Sequence, residues 1–538
     1  MKTLHLTNTQ SDIEAASAIL SKGGLVAMPT ETVYGLAADA LNGGAVRRIF
    51  EAKGRPMDNP LIVHVAEFSD IDRLHLVAEI PEKAKKLAEA FWPGPLTIIM
   101  KKGDVIPDEV SAGLDTVAIR IPSHPDAHRL LSVSGLALAA PSANTSGKPS
   151  PTTAKHVSDD MDGKIEAILD GGACSVGVES TVITVVTDVP RILRPGLITR
   201  EQLESVIGEV AVDHAVLNKL ENNEKAASPG MKYKHYAPRA RVILVRGSDE
   251  KYITFVNRIY ARDKSVAAMC YDEDKPRLSA PCITIGARDD EEAQAQALFD
   301  ALRAVDEIDG VKTVYAHCPS AEGVGMALYN RLIRAAAFEV IDLPSKRIIG
   351  LTGQTGAGKS EAAGCLAELG LPVISADKAA RLAVGDSEVK AMLCAAFGDV
   401  LNDDGELNRR LVAEIAFSTP KNTATLNAIT HPAIIRIMLE EAEKADGDIV
   451  VFDASQLFES GEDRLCDRIL SIVADREIRL ERLKARDGIP EQEIERRMSA
   501  QFDEAFFLRF SDDIIENNGT PAQLRERVRE FYERLVSA

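Results

Sequence analysis

The sequence predicts an α/β protein assembled from several units, and three observations carry that reading. Short β-like apolar runs alternate with helix-like runs through most of the 538 residues. A polar stretch, HAVLNKLENNEKAASPG, interrupts the alternation past residue 209, as an exposed linker does. A glycine-rich loop between an apolar strand and a helix opens a fresh alternation after Pro344. A chain of this length exceeds what one core can serve.

Taken in order, residues 1–209 carry the strand-like runs LVAMPT, NPLIVHV, LTIIM, TVAIRIP, ALAAPS and STVITVV. Between them lie helical runs such as PEKAKKLAEAF, which sets Ala84, Leu87, Ala88 and Phe91 on one face. Residues 210–240 read as the linker. Residues 241–343 repeat strand then helix three times: RVILV with YITFVNRIY, VAAMCY with AQALFDALRAV, and VKTVYAH with GMALYNRLIRAAAFEV. That alternation implies a small parallel sheet. Residues 344–538 begin with the strand of RIIGLTG and form the last unit.

Composition narrows the function. Hydrophobic content of 45% and charged content of 27% are those of a soluble globular protein. No run approaches 18 apolar residues, so no membrane partner is expected. The start, MKTLHLTNTQSDIEAA, lacks a signal-peptide pattern. Seven cysteines (174, 270, 282, 318, 365, 394, 466) form no CxxC pair and read as reduced thiols of a cytoplasmic protein. A net charge of −19 argues against stable nucleic-acid binding. Anionic ligands must then be met by local cations and backbone N–H groups.

Gly353, Gly358, Lys359 and Ser360 fit GxxxxGK[ST], the loop whose backbone N–H groups ring phosphate oxygens at a helix N-terminus. In that arrangement Lys359 bridges the terminal phosphates and Ser360 holds Mg2+. The segment from Arg347 on resembles dephospho-CoA kinase through VISADKAARL, LNAITHPAI, IVVFDASQLFES, RLERLKARDG and IIENNG. The resemblance implies a P-loop parallel-sheet kinase with Asp377 as base and Lys359 and Arg486 as catalytic cations. Arg482 is a second arginine of the same run. It also implies nucleotide contacts from Gly353, Gly356, Ala357, Gly358, Lys359, Ser360, Glu361 and Asn517, and ascribes motif positions to His431, Asp453 and Glu459. Ser375 stands where the family has aspartate, Glu361 where a threonine is common, and Ser455 and Gln456 where Pro-Leu is expected. These departures leave open a kinase half that binds nucleotide without turnover.

No nucleophile–base pair marks the N-terminal segment. Lys53, Arg55, Arg120 and Arg194 supply cations, and Ser142, Asn144, Ser146 and Ser150 supply compact hydrogen-bonding groups. Turn chemistry explains such residues equally well. KGRPMDNP, APSANTSGKPSPT and their flanking motifs resemble the YrdC-type threonylcarbamoyl-AMP synthase, with SPGMKYKHYAP as the linker of its two-domain form. That implies a YrdC-like α/β core and a small Rossmann-like accessory domain. The implied reaction takes ATP, L-threonine and bicarbonate to threonylcarbamoyl-adenylate, which tRNA threonylcarbamoyl-transfer proteins then use. By position, Lys53, Arg55, Asn59, Thr116, Ser142, Asn144, Ser150, Arg194 and Tyr236 belong to ATP. Thr32, His64, Arg120 and Ser180 belong to threonine, and His235 with Tyr236 to a gate. The last unit adds dephospho-CoA as a substrate. A double-stranded RNA ligand for the N-terminal segment is the rival reading.

Overall fold

The structure is a computed structural model describing residues 2–218, 236–402 and 404–537. His235 and most of the linker lie outside the described residues. The chain divides into two compact units, Met1–Arg246 with Tyr260–Ile341, and Gly247–Ile259 with Asp342–Ala538.

The first unit holds two sheets. An eleven-stranded mixed sheet uses every strand-like run of residues 1–209, among them Val26–Met28, Ile62–His64, Leu96–Lys101, Thr116–Arg120 and Thr181–Thr184. Ile62–His64 pairs in parallel with Thr116–Arg120 so that His64 lies beside Arg120 at the carboxyl ends of two interior strands. Helix Glu82–Phe91 buries Ala84, Leu87 and Ala88, as its spacing predicts, while Phe91 is only half-buried.

The second sheet of this unit has five strands, in the order Cys282–Thr284, Val266–Cys270, Thr313–His317, Arg241–Arg246, Val340–Asp342. Sequence reading finds three of them. Cys282–Thr284 and Val340–Asp342 are three residues each, too short to show a period. The run read as helix through Val340 stops at Ala335, because Ala337 and Phe338 adopt left-handed backbone with φ of 51° and 67°. Val33 and Val178 of the large sheet's loops share one apolar cluster with Leu298, Phe299 and Leu328. That shared core is why the core and accessory segments form one unit.

The second unit is a five-stranded parallel sheet, in the order Val373–Ser375, Ile449–Asp453, Arg347–Gly353, Arg468–Val473, Asp513–Glu516. Residues 247–259, which the sequence assigns to the preceding segment, group with it. There Lys251 meets Asp467 at 3.1 Å and Arg258 meets Asp512 at 2.6 Å. His431 before Pro432 reads in isolation as a helix start, yet both lie inside the 25-residue helix Pro420–Lys444. Thr419 caps that helix instead, accepting from Asn422 N.

Candidate functional sites

In the first unit, one pocket gathers residues from separated strands, loops and a helix end. Thr30 forms a tight turn after strand Val26–Met28: its hydroxyl donates to Val33 O at 2.6 Å and lies 2.9 Å from Thr32 Oγ1. Thr32 is thereby held, fully buried, against Arg120, whose Nη1 donates to Thr32 Oγ1 at 2.8 Å. Arg120 Nη2 lies 2.8 Å from Glu31 Oε1. The angles are those of a charge contact, since Arg120 Nη2 and both Glu31 oxygens lack an aligned hydrogen bond. Burial pushes the Glu31 carboxyl up, but the Arg120 charge and contacts outweigh it and hold it below the ordinary value.

His64 Nδ1 lies 3.2 Å from Ile62 O, a geometry that suits Nδ1–H as donor. Burial, then the neighbouring Arg120 charge, lowers its pKa to about 3, so the ring is neutral near pH 7. Ser180 is fully buried, 2.7 Å from Thr97 Oγ1. Arg194 grips it twice, donating through Nη2 to Ser180 Oγ at 3.1 Å and through Nε to Ser180 O at 3.0 Å. Burial pulls Arg194 down to about 10, still cationic at neutral pH.

Lys53 ends helix Gly43–Lys53, and its ammonium is occupied by the fold. It donates to Ser142 O, to Asn144 O at 2.7 Å and to Asn144 Oδ1 at 3.3 Å. Ser142 Oγ donates to the same Asn144 oxygen at 2.6 Å. The Lys-x-Arg and Ser-x-Asn motifs are therefore one cross-linked loop pair, with Lys53 as its tie. Burial lowers the Lys53 pKa well below that of a free lysine.

The pocket brings together Thr32, Lys53, Arg55, His64, Arg120, Ser142, Asn144, Ser180, Arg194 and Tyr236. Asn59 and Ser150 are fully buried outside its lining, and Thr116 is half-buried on its strand. The lining also includes Thr30, Ser146 and Glu179. Glu179 precedes Ser180 in the sequence, and no local pattern marks it as a pocket residue.

In the second unit, the strand Arg347–Gly353 runs through the glycine-rich loop into helix Lys359–Glu368. Gly358 has φ of 104°, and a Cβ there would lie 2.4 Å from Asn517 Nδ2, so only glycine fits. Lys359 Nζ is ion-paired with Asp453, which ends the neighbouring strand in register between Leu351 and Ser375. Ser375 caps the helix Ala376–Ala383, accepting from Lys378 N, as serine does well at this position. Asp377 stands exposed in the first turn of that helix, at the same carboxyl edge of the sheet.

The other residues named from sequence take different places. Asn517 donates from Nδ2 to Ala357 O at 2.7 Å, so its amide braces the loop. Glu361 pairs with Arg525 at 2.7 Å, which neutralises the acid at that departure. Arg482 donates to Asn517 O and Gly519 O at 3.0 and 3.1 Å, while Arg486 is exposed. Sequence reasoning missed Gln354, a loop residue whose Oε1 is buried without a hydrogen-bond partner. Beside the Asp377 helix an apolar depression is lined by Val384, Leu393, Leu407 and Val412 and edged by Arg381, Arg409 and the 68% exposed Phe417.

Glu462, which opens the short 3-10 helix Glu462–Leu465 beyond Asp453, is 2% exposed, and its Oε2 has no hydrogen-bond partner. Burial raises its pKa from 4.5 to about 7. The folded form therefore holds this proton more tightly than the unfolded chain. Its stability is full below pH 4.5 and falls as pH rises toward 7. Glu462→Gln is expected to stabilise the second unit at pH 8 by about 2–3 kcal/mol, with the advantage gone near pH 4. Urea unfolding of both proteins at the two pH values checks this.

Comparison with known proteins matches three successive stretches of the chain. Residues 18–196 match the family model described as telomere recombination. Residues 198–337 match that of the threonylcarbamoyl-AMP synthase C-terminal domain, and residues 347–523 that of dephospho-CoA kinase. A threonylcarbamoyl-AMP synthase of Bacillus subtilis (strain 168) is 47% identical over 63% of this chain and 97% of its own length. A dephospho-CoA kinase of Corynebacterium jeikeium (strain K411) is 40% identical over 34% of this chain and 97% of its own length. Among solved structures, P. abyssi Sua5 complexed with L-threonine matches with a TM-score of 0.58 and 44% identity, covering 64% of this chain and 99% of that one.

Proposed function

The chain belongs to the threonylcarbamoyl-AMP synthase family in its N-terminal part and to the dephospho-CoA kinase family in its C-terminal part, and from that premise we propose how each site works. The protein is a bifunctional enzyme of these two activities. No helix among the described residues is long and apolar enough to cross a membrane. The free cysteines fit our reading of a cytoplasmic enzyme.

For the synthase, the observation that carries the reading is the convergence of Thr32, His64, Arg120 and Ser180 beside Arg194 in one pocket. Arg120 takes the threonine carboxylate, and neutral His64 accepts a hydrogen bond without adding charge. The threonine amine forms a carbamate with bicarbonate, releasing water. A carbamate oxygen then attacks the α-phosphorus of ATP, and the bond to pyrophosphate breaks. Arg55 and Arg194 stabilise the charge growing on phosphate, so the site works by positioning and electrostatics with no protein nucleophile. Pyrophosphate release that requires both threonine and bicarbonate tests this. Release independent of either contradicts it. The product is a substrate for tRNA threonylcarbamoyl-transfer proteins.

For the kinase, the carrying observation is that Lys359, Asp453 and Asp377 share the carboxyl edge of the sheet around the phosphate-binding loop. Asp377 accepts the proton of the ribose 3′-hydroxyl of dephospho-CoA as that oxygen attacks the γ-phosphorus. Lys359 exchanges its contact with Asp453 for phosphate oxygens. Ser360 and Asp453 are hard oxygen donors that suit Mg2+, which when bound neutralises charge on the transferring phosphate. The apolar depression by Phe417 receives the apolar arm of dephospho-CoA. Phe417→Ser is expected to raise KM for dephospho-CoA about tenfold while KM for ATP stays unchanged, as steady-state kinetics in each substrate would read.

A further inference from the structure

Arg331 heads the fully buried side chains by size, with 0% exposure. It stands on helix Gly325–Ala335, in the accessory segment that carries no catalytic motif. Its guanidinium is spent on the wall of the synthase pocket. Nε donates to Glu179 Oε2 at 3.0 Å, Nη2 to the Glu179 backbone carbonyl at 3.1 Å, and Nη1 to Pro195 O. These contacts grip the chain immediately before Ser180 and immediately after Arg194. The second carboxylate oxygen of Glu179 accepts from Ser150 Oγ at 2.6 Å, and Ser150 is itself fully buried.

One guanidinium thus holds Glu179 of the pocket lining and Pro195 beside Arg194, and through Glu179 it reaches Ser150. Burial pushes the Glu179 carboxyl up, but Arg331, then Arg194 and Ser150, outweigh that and keep it ionised. Cohesion alone does not explain the charge, because a well-packed apolar pair commonly stabilises as much as a buried ion pair. An ion pair does fix direction, and the direction here aims a carboxylate at Ser150. Apolar contacts seat the same segment: Val178 packs in the accessory cluster, and a Cβ on Gly177 would lie 2.3 Å from Gln296 Cα.

We propose that Arg331 is a positioning residue of the synthase site, through which the accessory fold sets the nucleotide side of the pocket by way of Glu179. The proposal rests on the synthase reading above. The test uses the full chain carrying Lys359→Ala, so that the second site does not turn over ATP. Threonine-dependent pyrophosphate release is measured for that parent, for Arg331→Lys, for Glu179→Gln and for the double variant, varying ATP and threonine separately. Thermal unfolding of each is recorded.

Arg331→Lys is expected to lower kcat/KM for ATP about tenfold, leaving KM for threonine within about twofold. Glu179→Gln should match it, and the double variant should be no worse than the poorer single one. The proposal is overturned if the losses fall equally on both substrates and follow the loss of folded protein, or if the two substitutions are additive. An inactive parent would instead overturn the synthase reading itself, and the proposal with it. Arg331→Lys keeps the charge, so it decides the matter even where a larger truncation fails to fold.

Discussion

Lys359→Ala is expected to cut CoA formation by about 10³-fold or more while threonine-dependent pyrophosphate release stays within about twofold of wild type. The reason lies in where the ammonium sits. Lys359 opens the helix after the phosphate-binding loop and rests on Asp453, so when ATP enters it is the cation already aimed at the loop. Removing it takes away charge stabilisation that no other side chain of the loop supplies, and deprives Asp453 of its ion-pair partner. Asp377→Asn separates binding from chemistry. The amide keeps the place of the exposed side chain in the first helical turn but cannot accept the hydroxyl proton. Paired assays of CoA and pyrophosphate on one preparation check both variants.

Arg55→Ala is the reciprocal substitution, expected to lower threonine-dependent pyrophosphate release about 10²-fold with CoA formation unchanged. Arg55 lines the pocket yet stands half-exposed, unlike Arg120 and Arg194, whose burial makes their loss a folding problem as well. A chiefly higher KM for ATP would mean ground-state binding, and a chiefly lower kcat would mean charge stabilisation in the transition state. Either falls on the first activity alone.

Much of this was legible before the structure. The apolar runs of residues 1–209 became strands because short, continuous apolar runs between turn residues suit strands buried on both faces. The phosphate-binding loop was legible because its glycines answer a local backbone need, as the φ of 104° at Gly358 shows. What escaped depends on distant burial. Lys53 reads in sequence as a cation for phosphate, and only the fold reveals its ammonium tied to Ser142 and Asn144. Asn517 is assigned to the nucleotide by resemblance, and the fold adds that its amide braces Ala357. Glu179 and Arg331 lie 152 residues apart, and no local pattern couples them. The one available signal was an arginine set inside the apolar run MALYNRLIRAAA, where a charge needs a buried partner. The departures at Ser375 and Glu361 also look different in three dimensions, one a helix cap and the other paired with Arg525.

The central claim is that one chain carries two working and separable active sites. Its most direct test follows both reactions in a single preparation of the full chain, beside Lys359→Ala and Arg55→Ala. Two separable sites require that wild type forms CoA from dephospho-CoA and releases pyrophosphate with threonine and bicarbonate, and that each variant loses one activity alone. A wild-type chain that performs only one reaction, or a variant that silences both, would contradict it.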